Sequence, residues 1–212
     1  MFRNKALVIG LCVAPALLAF APQKRASEKK ALTFQENLAA AKTAFEGEKF
    51  GTTLRLLNDA VAETRKKHRA AILAAMPAAP AGWTKEVQEE SDSGQDAAVL
   101  AMLGGGMIPI EQNYTKEDSG ATLSVQVTVD QPMVQMITMA FNPAFLEEGQ
   151  ELIEYNGGDK ALLRSADGRA EMQLVVSNKH LIQVDVSEGN GDFVLSVLDQ
   201  AALDKLKGAI EN

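Results

Sequence analysis

Residues 121–130 read ATLSVQVTVD, with apolar and polar residues in strict alternation. Leu123, Val125, Val127 and Val129 occupy every second place, with Thr122, Ser124, Gln126 and Thr128 between them. Successive side chains of a strand point to opposite faces. This pattern therefore predicts a strand buried on one face and wet on the other, which is the habit of an antiparallel sheet. Ala170, Met172, Leu174 and Val176 repeat the alternation, as do Ile182, Val184 and Val186. Asp167-Gly168 separates runs with residues that tolerate the backbone of a tight hairpin turn, so residues 151–187 predict a meander.

Outside these runs the period lengthens. Asp130 with Pro132 predicts the opening of a helix over 132–141, which Asn142-Pro143 closes, and Leu203, Leu206 and Ile210 stripe a terminal helix. Near the start, Phe34, Leu38, Ala41 and Phe45 share a spacing with Phe50, Leu54, Leu57 and Val61. That spacing predicts two amphipathic helices around the turn Glu46-Gly47-Glu48-Lys49. A lone helical hairpin cannot bury its own apolar stripe, so it must pack on the rest of the chain or on another molecule. In MPAAPAGWT (76–84) the prolines end the second helix and stiffen a joint, and Trp83 is expected to be buried just beyond it. The divisions are 1–21, an export segment; 22–31, a flexible mature N-terminus; 32–76, the helical hairpin; 77–84, a Pro/Ala-rich joint; and 85–212, the sheet domain. The expected class is α+β, an N-terminal helical hairpin followed by an antiparallel β-sheet with helices packed on one face.

Phe50, Thr53, Leu57 and Ala60 fall where a tetratricopeptide second helix places an aromatic, a small residue, a large one and alanine, so the hairpin resembles one tetratricopeptide-like unit. The element order after the joint resembles the PsbP/Mog1-like modules of exported proteins, a resemblance of order without a shared motif. It implies an exported α+β module.

At 212 residues, 46% hydrophobic and 23% charged, the chain has the composition of an ordinary globular protein. Met1-Phe2-Arg3-Asn4-Lys5 followed by the apolar run Ala6 to Ala21 reads as a signal peptide, which places the protein in the periplasm or outside the cell. Pro22, directly after Ala19-Phe20-Ala21, leaves open the cleavage site and the choice between removal and a retained anchor. After cleavage no membrane span is expected. Cys12 is the only cysteine and lies in that segment, so the mature chain has neither disulfide nor thiol chemistry. Losing residues 1–21 removes Arg3 and Lys5 and no acid, which moves the formal charge from −7 to −9. Such a charge repels nucleic acid and anionic lipid, and makes the basic run Arg65-Lys66-Lys67-His68-Arg69 a solvated helix face.

The run MLGGGMIPI (102–110) has no Lys-Ser or Lys-Thr after Gly106, so it is not a phosphate loop. Met102, Gly104, Gly105, Gly106, Met107 and Ile108 instead predict a loop with apolar side chains, tucked into the core or offered to a partner. The expectation is that it folds over the helix at 132–141, meeting Met133 and Met136, and opens to take an apolar peptide segment or an envelope protein. Met133, Met136 and Met139 share helical spacing. They fill gaps over a sheet or, alternatively, ligate Cu(I) as soft thioethers. His68 and His180 lie far apart in sequence without evident acidic or nucleophilic companions, and pairs such as Glu147-Glu148 serve solubility. No cofactor is implied. The sequence reads as an exported, non-enzymatic binding or accessory protein of the cell envelope, the alternative being a periplasmic Cu(I) binder.

Overall fold

The structure is a computed structural model that describes residues 32–87, 109–131 and 134–211. Its elements are α1 (Phe34–Glu46), α2 (Phe50–Ala75), β1 (Trp83–Lys85), β2 (Ile110–Lys116), β3 (Thr122–Thr128) and α3 (Val134–Ala140). They continue as β4 (Gln150–Glu154), β5 (Lys160–Ala166), β6 (Arg169–Val176), β7 (His180–Val186), α4 (Gly191–Val197) and α5 (Gln200–Glu211). Among the described residues the strands form one antiparallel sheet in the order β1-β2-β3-β7-β6-β5-β4. This is the expected α+β class. Strands β4 to β7 are the predicted meander, and Asp167 and Gly168 take the positive φ angles, 52° and 76°, that their hairpin turn requires.

Register puts one row of alternating residues across the sheet: Gln112 opposite Val125, then Val184, Met172 and Leu163. This row belongs to the core face, which α2, α4 and α5 cover through Ile72, Val194, Leu198, Leu203, Leu206 and Ile210. Gly191 allows the close approach of α4 to β5, because a Cβ there would lie 2.8 Å from Leu163 Cδ2. The other face is polar over most of its width, with α3 lying on it at one end. Val134 and Phe141 pack there on Val175 and Leu181, so α3 is the one described helix on the face opposite to α2, α4 and α5. Asp130 is a turn residue with φ 53°.

In the neighbouring polar row Asp185 lies directly opposite Glu171. Burial, then Glu171 and Glu111, raise its pKa. A carboxyl raised in the folded state favours folding at low pH and loses that contribution as pH rises through the raised value. Asp185→Asn is therefore expected to raise the urea midpoint at neutral pH, with the gain disappearing in acid.

The joint is tied into the core. Gly82, at φ 78°, turns the chain so that the Trp83 amide donates to Pro80 O at 3.0 Å, and β1 begins there. Trp83 is buried, as expected, and stacks on Phe193 with ring centroids 5.5 Å apart. Tyr114, fully buried on β2, donates its hydroxyl to Pro77 O at 2.6 Å, and burial pushes its pKa up to about 12. Tyr114→Phe strands the Pro77 carbonyl and is expected to cost about 1–3 kcal/mol in urea unfolding.

Candidate functional site

The hairpin is built with its small residues inward. Thr33 caps α1 through a reciprocal box with Glu36: the Thr33 amide donates to Glu36 Oε2 at 2.7 Å, and the Glu36 amide donates to Thr33 Oγ1. The seam between α1 and α2 is made of Asn37, Ala41 and Ala44 against Thr53, Leu56 and Ala60. Alanines let the helices approach closely, and a thin seam has no room for phenylalanine.

The large apolar residues therefore sit beside the seam. In α2, Leu54, Leu57 and Val61 each follow a seam residue by one place, and in α1 Leu38 and Phe45 do the same. One place is about 100° around a helix, and in antiparallel neighbours that rotation leads to the same side of the pair. The two stripes thus merge into one face, closed at its tip by the edge-to-face contact of Phe45 and Phe50 at 5.8 Å. Phe34, Leu38, Phe45, Phe50, Leu54, Leu57 and Val61 are all exposed, Phe45 to 61% and Leu54 to 63%. With aromatic side chains of about 150–250 Å² each, the face amounts to roughly 600 Å² of bare apolar surface, at the top of the range for a monomer's largest patch.

The same stripe is covered further along α2. Ile72, Ala75 and Met76 are buried against the sheet core, and α5 runs beside this half of the helix. Lys205 Nζ donates to Ala74 O at 3.1 Å, and His68 Nε2 lies 3.1 Å from both Ala209 O and Ile210 O. Both partners are carbonyls, so His68 donates there, at the negative end of the α5 dipole. Helix α5 ends at Glu211 beside His68, and past that point the stripe on α2 is bare. Among the described residues, the expectation that the hairpin packs on the rest of the chain or on another molecule is met within the chain only by the second half of α2.

The fold also gives the histidines companions that sequence spacing concealed. His180 is buried, accepts the Asp130 amide on Nδ1 at 3.1 Å, and has the Asp130 carboxylate 4.0 Å away. Nearby, Ser177 Oγ donates to Glu211 at 2.6 Å and its amide donates to Asp159, whose other oxygen accepts from Lys207 Nζ at 2.5 Å. The ring lone pair on Nδ1 faces a backbone amide and the serine hydroxyl faces a carboxylate. The cluster therefore locks α5 to the strand ends and offers no base-activated nucleophile. Burial holds the His180 pKa below 6.5, against the raising influence of Asp130 and Glu211. Its stabilising contribution is complete above pH 6.5 and is lost as pH falls through the depressed value. Urea midpoints should fall across that window, and His180→Gln should flatten the fall.

No protein-family model, curated protein or solved structure matches the chain.

Of the residues singled out from sequence, Met102, Gly104, Gly105, Gly106, Met107, Ile108 and Met133 lie outside the described residues, so the fold brings no described partner to the glycine run. Met136 and Met139 are described, and they correct the gap-filling reading. They stand out from α3, 63% and 68% exposed, while Val134, Ile137 and Phe141 take the sheet-facing side. Among the described residues there is no group of three or more His, Cys, Asp or Glu suited to a metal ion, and no helix long and apolar enough to cross a membrane. The hairpin stripe was visible in the sequence. Its bareness was not, because the spacing of Phe50, Leu54, Leu57 and Val61 is the same whether or not a partner covers it.

Proposed function

We propose that this is an exported, non-enzymatic binding or accessory protein of the cell envelope that acts through protein-protein contact, with the helical hairpin as its contact surface. The observation that carries the reading is the bare apolar face of α1 and α2, uncharged along its centre and continuous with a stripe the protein buries elsewhere. Depletion of charge at the centre with aromatic residues present is the composition of an interface core. The charged opening of the chain, Arg3 and Lys5 before an apolar run, supports export. A photo-crosslinking amino acid placed at Leu54 or Leu57 in producing cells should form protein adducts in the envelope fraction, whereas one at Arg169, on the far turn of the sheet, should not. Absence of adducts at both hairpin positions would overturn the proposal.

A second reading rests on the exposed thioethers of Met136 and Met139, which with Met133 would suit Cu(I). Anaerobic titration against a chromophoric Cu(I) chelator should show competition that Met133→Leu, Met136→Leu and Met139→Leu together abolish. A wild-type protein that does not compete ends this reading.

A further inference from the structure

We infer that the occupant of the hairpin face is a second copy of this chain, packed antiparallel across a two-fold axis so that two hairpins form a four-helix bundle. The inference rests on the reading of the hairpin as a contact surface and adds what covers it.

Three features of the face point to self-association. The first is its extent. With roughly 600 Å² of apolar surface on each copy plus its rim, mutual burial removes at least about 1,200 Å² from water, within the range of stable specific interfaces. The second is its length. The bare part of α2 runs from Phe50 to the point where α5 ends beside His68, a slot over residues 50–64 of roughly 22 Å at the helical rise. Under the two-fold the slot receives the same stretch of the partner, which it matches in length. Sliding further toward the body is stopped by the end of α5.

The third feature is charge. The tip of the hairpin carries Glu46 and Glu48 against Lys49, and its root carries Arg65, Lys66 and Arg69 beside Lys67, which pairs with Glu63 at 2.8 Å, so the tip is net acidic and the root net basic. Antiparallel packing lays each acidic tip beside the partner's basic root, whereas tip-to-tip packing would bring acids together. The aromatic residues follow the same logic, because Phe45 and Phe50 at the tip then meet Phe34, Leu38 and Val61 at the partner's root. An isologous contact uses each residue twice, so modest pairwise gains count double.

Sedimentation of the chain as recovered from producing cells should give twice the chain mass. Leu54→Glu should raise the dimer dissociation constant by more than about a hundredfold, since both copies lose the contact. The residue is exposed in one chain, so the circular dichroism spectrum should be unchanged. Glu48→Lys should weaken association a few-fold, and Arg65→Glu in the same chain should restore it. With Cys12→Ser as background, a short bis-maleimide should join copies of Leu57→Cys, near the axis, much faster than copies of Phe50→Cys, which lie at opposite ends of the slot, each beside the partner's Thr64. Equal crosslinking at the two positions, or a dimer that survives Leu54→Glu, would overturn this packing. A strictly monomeric wild-type protein would overturn the inference altogether. In that case envelope adducts to a different chain at Leu54 would leave the hairpin reading standing, and no adducts would remove both.

Discussion

Trp83→Ala is expected to lower the unfolding free energy by about 3–5 kcal/mol, the cost of emptying a large aromatic site that cannot collapse. The indole sits where the joint enters the sheet. Gly82 fixes the turn before it, Phe193 of α4 stacks on it, and its strand pairs Trp83 with Lys116 at the edge of the sheet. Both neighbours are held from elsewhere, Phe193 by the capped start of α4 and β2 by its full ladder to β3, so neither can move in to fill the space. Urea unfolding followed by far-ultraviolet circular dichroism measures the loss. A change below about 1 kcal/mol would mean that the site relaxes and that the joint is not part of the core.

The second large effect is a contrast along one helix. Ile72 and Leu54 lie on the same stripe of α2, but Ile72 is fully buried and Leu54 is mostly exposed. Ile72→Ala should cost about 2–5 kcal/mol through lost transfer energy and a cavity beneath α5. Leu54→Ala, measured at protein concentrations too dilute for association, should change stability by less than about 0.5 kcal/mol. Equal costs at the two positions would mean that the hairpin is packed along its whole length by its own chain.

The parts of the fold that the sequence made legible are those where burial is one-sided and regular. Leu123, Val125 and Val127, the alternating residues Ala170, Met172, Leu174 and Val176 with Ile182, Val184 and Val186, and the Leu203, Leu206 and Ile210 stripe all face one continuous core, so period and burial coincide. Strand β2 escaped because its central core position is Gln112. That side chain is satisfied by donating to Glu86 O at 2.8 Å and Asn113 O at 2.9 Å, and it breaks the apolar alternation. Helix α4 was too short to show a period, although Asn190, which accepts from the Phe193 amide, is an N-cap readable in retrospect. The methionines misled for a different reason. Their spacing matches that of α3, but Val134, Ile137 and Phe141 supply a better-fitting apolar side, so Met136 and Met139 turn outward. The histidine cluster was invisible because Asp130, Ser177, His180 and Glu211 converge only when β6, β7 and α5 meet.

If the hairpin face is covered in the working protein, thiol accessibility in intact cells will reveal it. In a Cys12→Ser background, Leu54→Cys and Arg169→Cys are treated with a small maleimide that reaches the envelope. Both positions are open to solvent in the isolated chain. A covered face should give rapid labelling at Arg169→Cys, slow labelling at Leu54→Cys in cells, and equal rates for the two after the protein is unfolded in urea. Equal, rapid labelling of both in intact cells would show a face that nothing covers and would contradict the proposed contact surface.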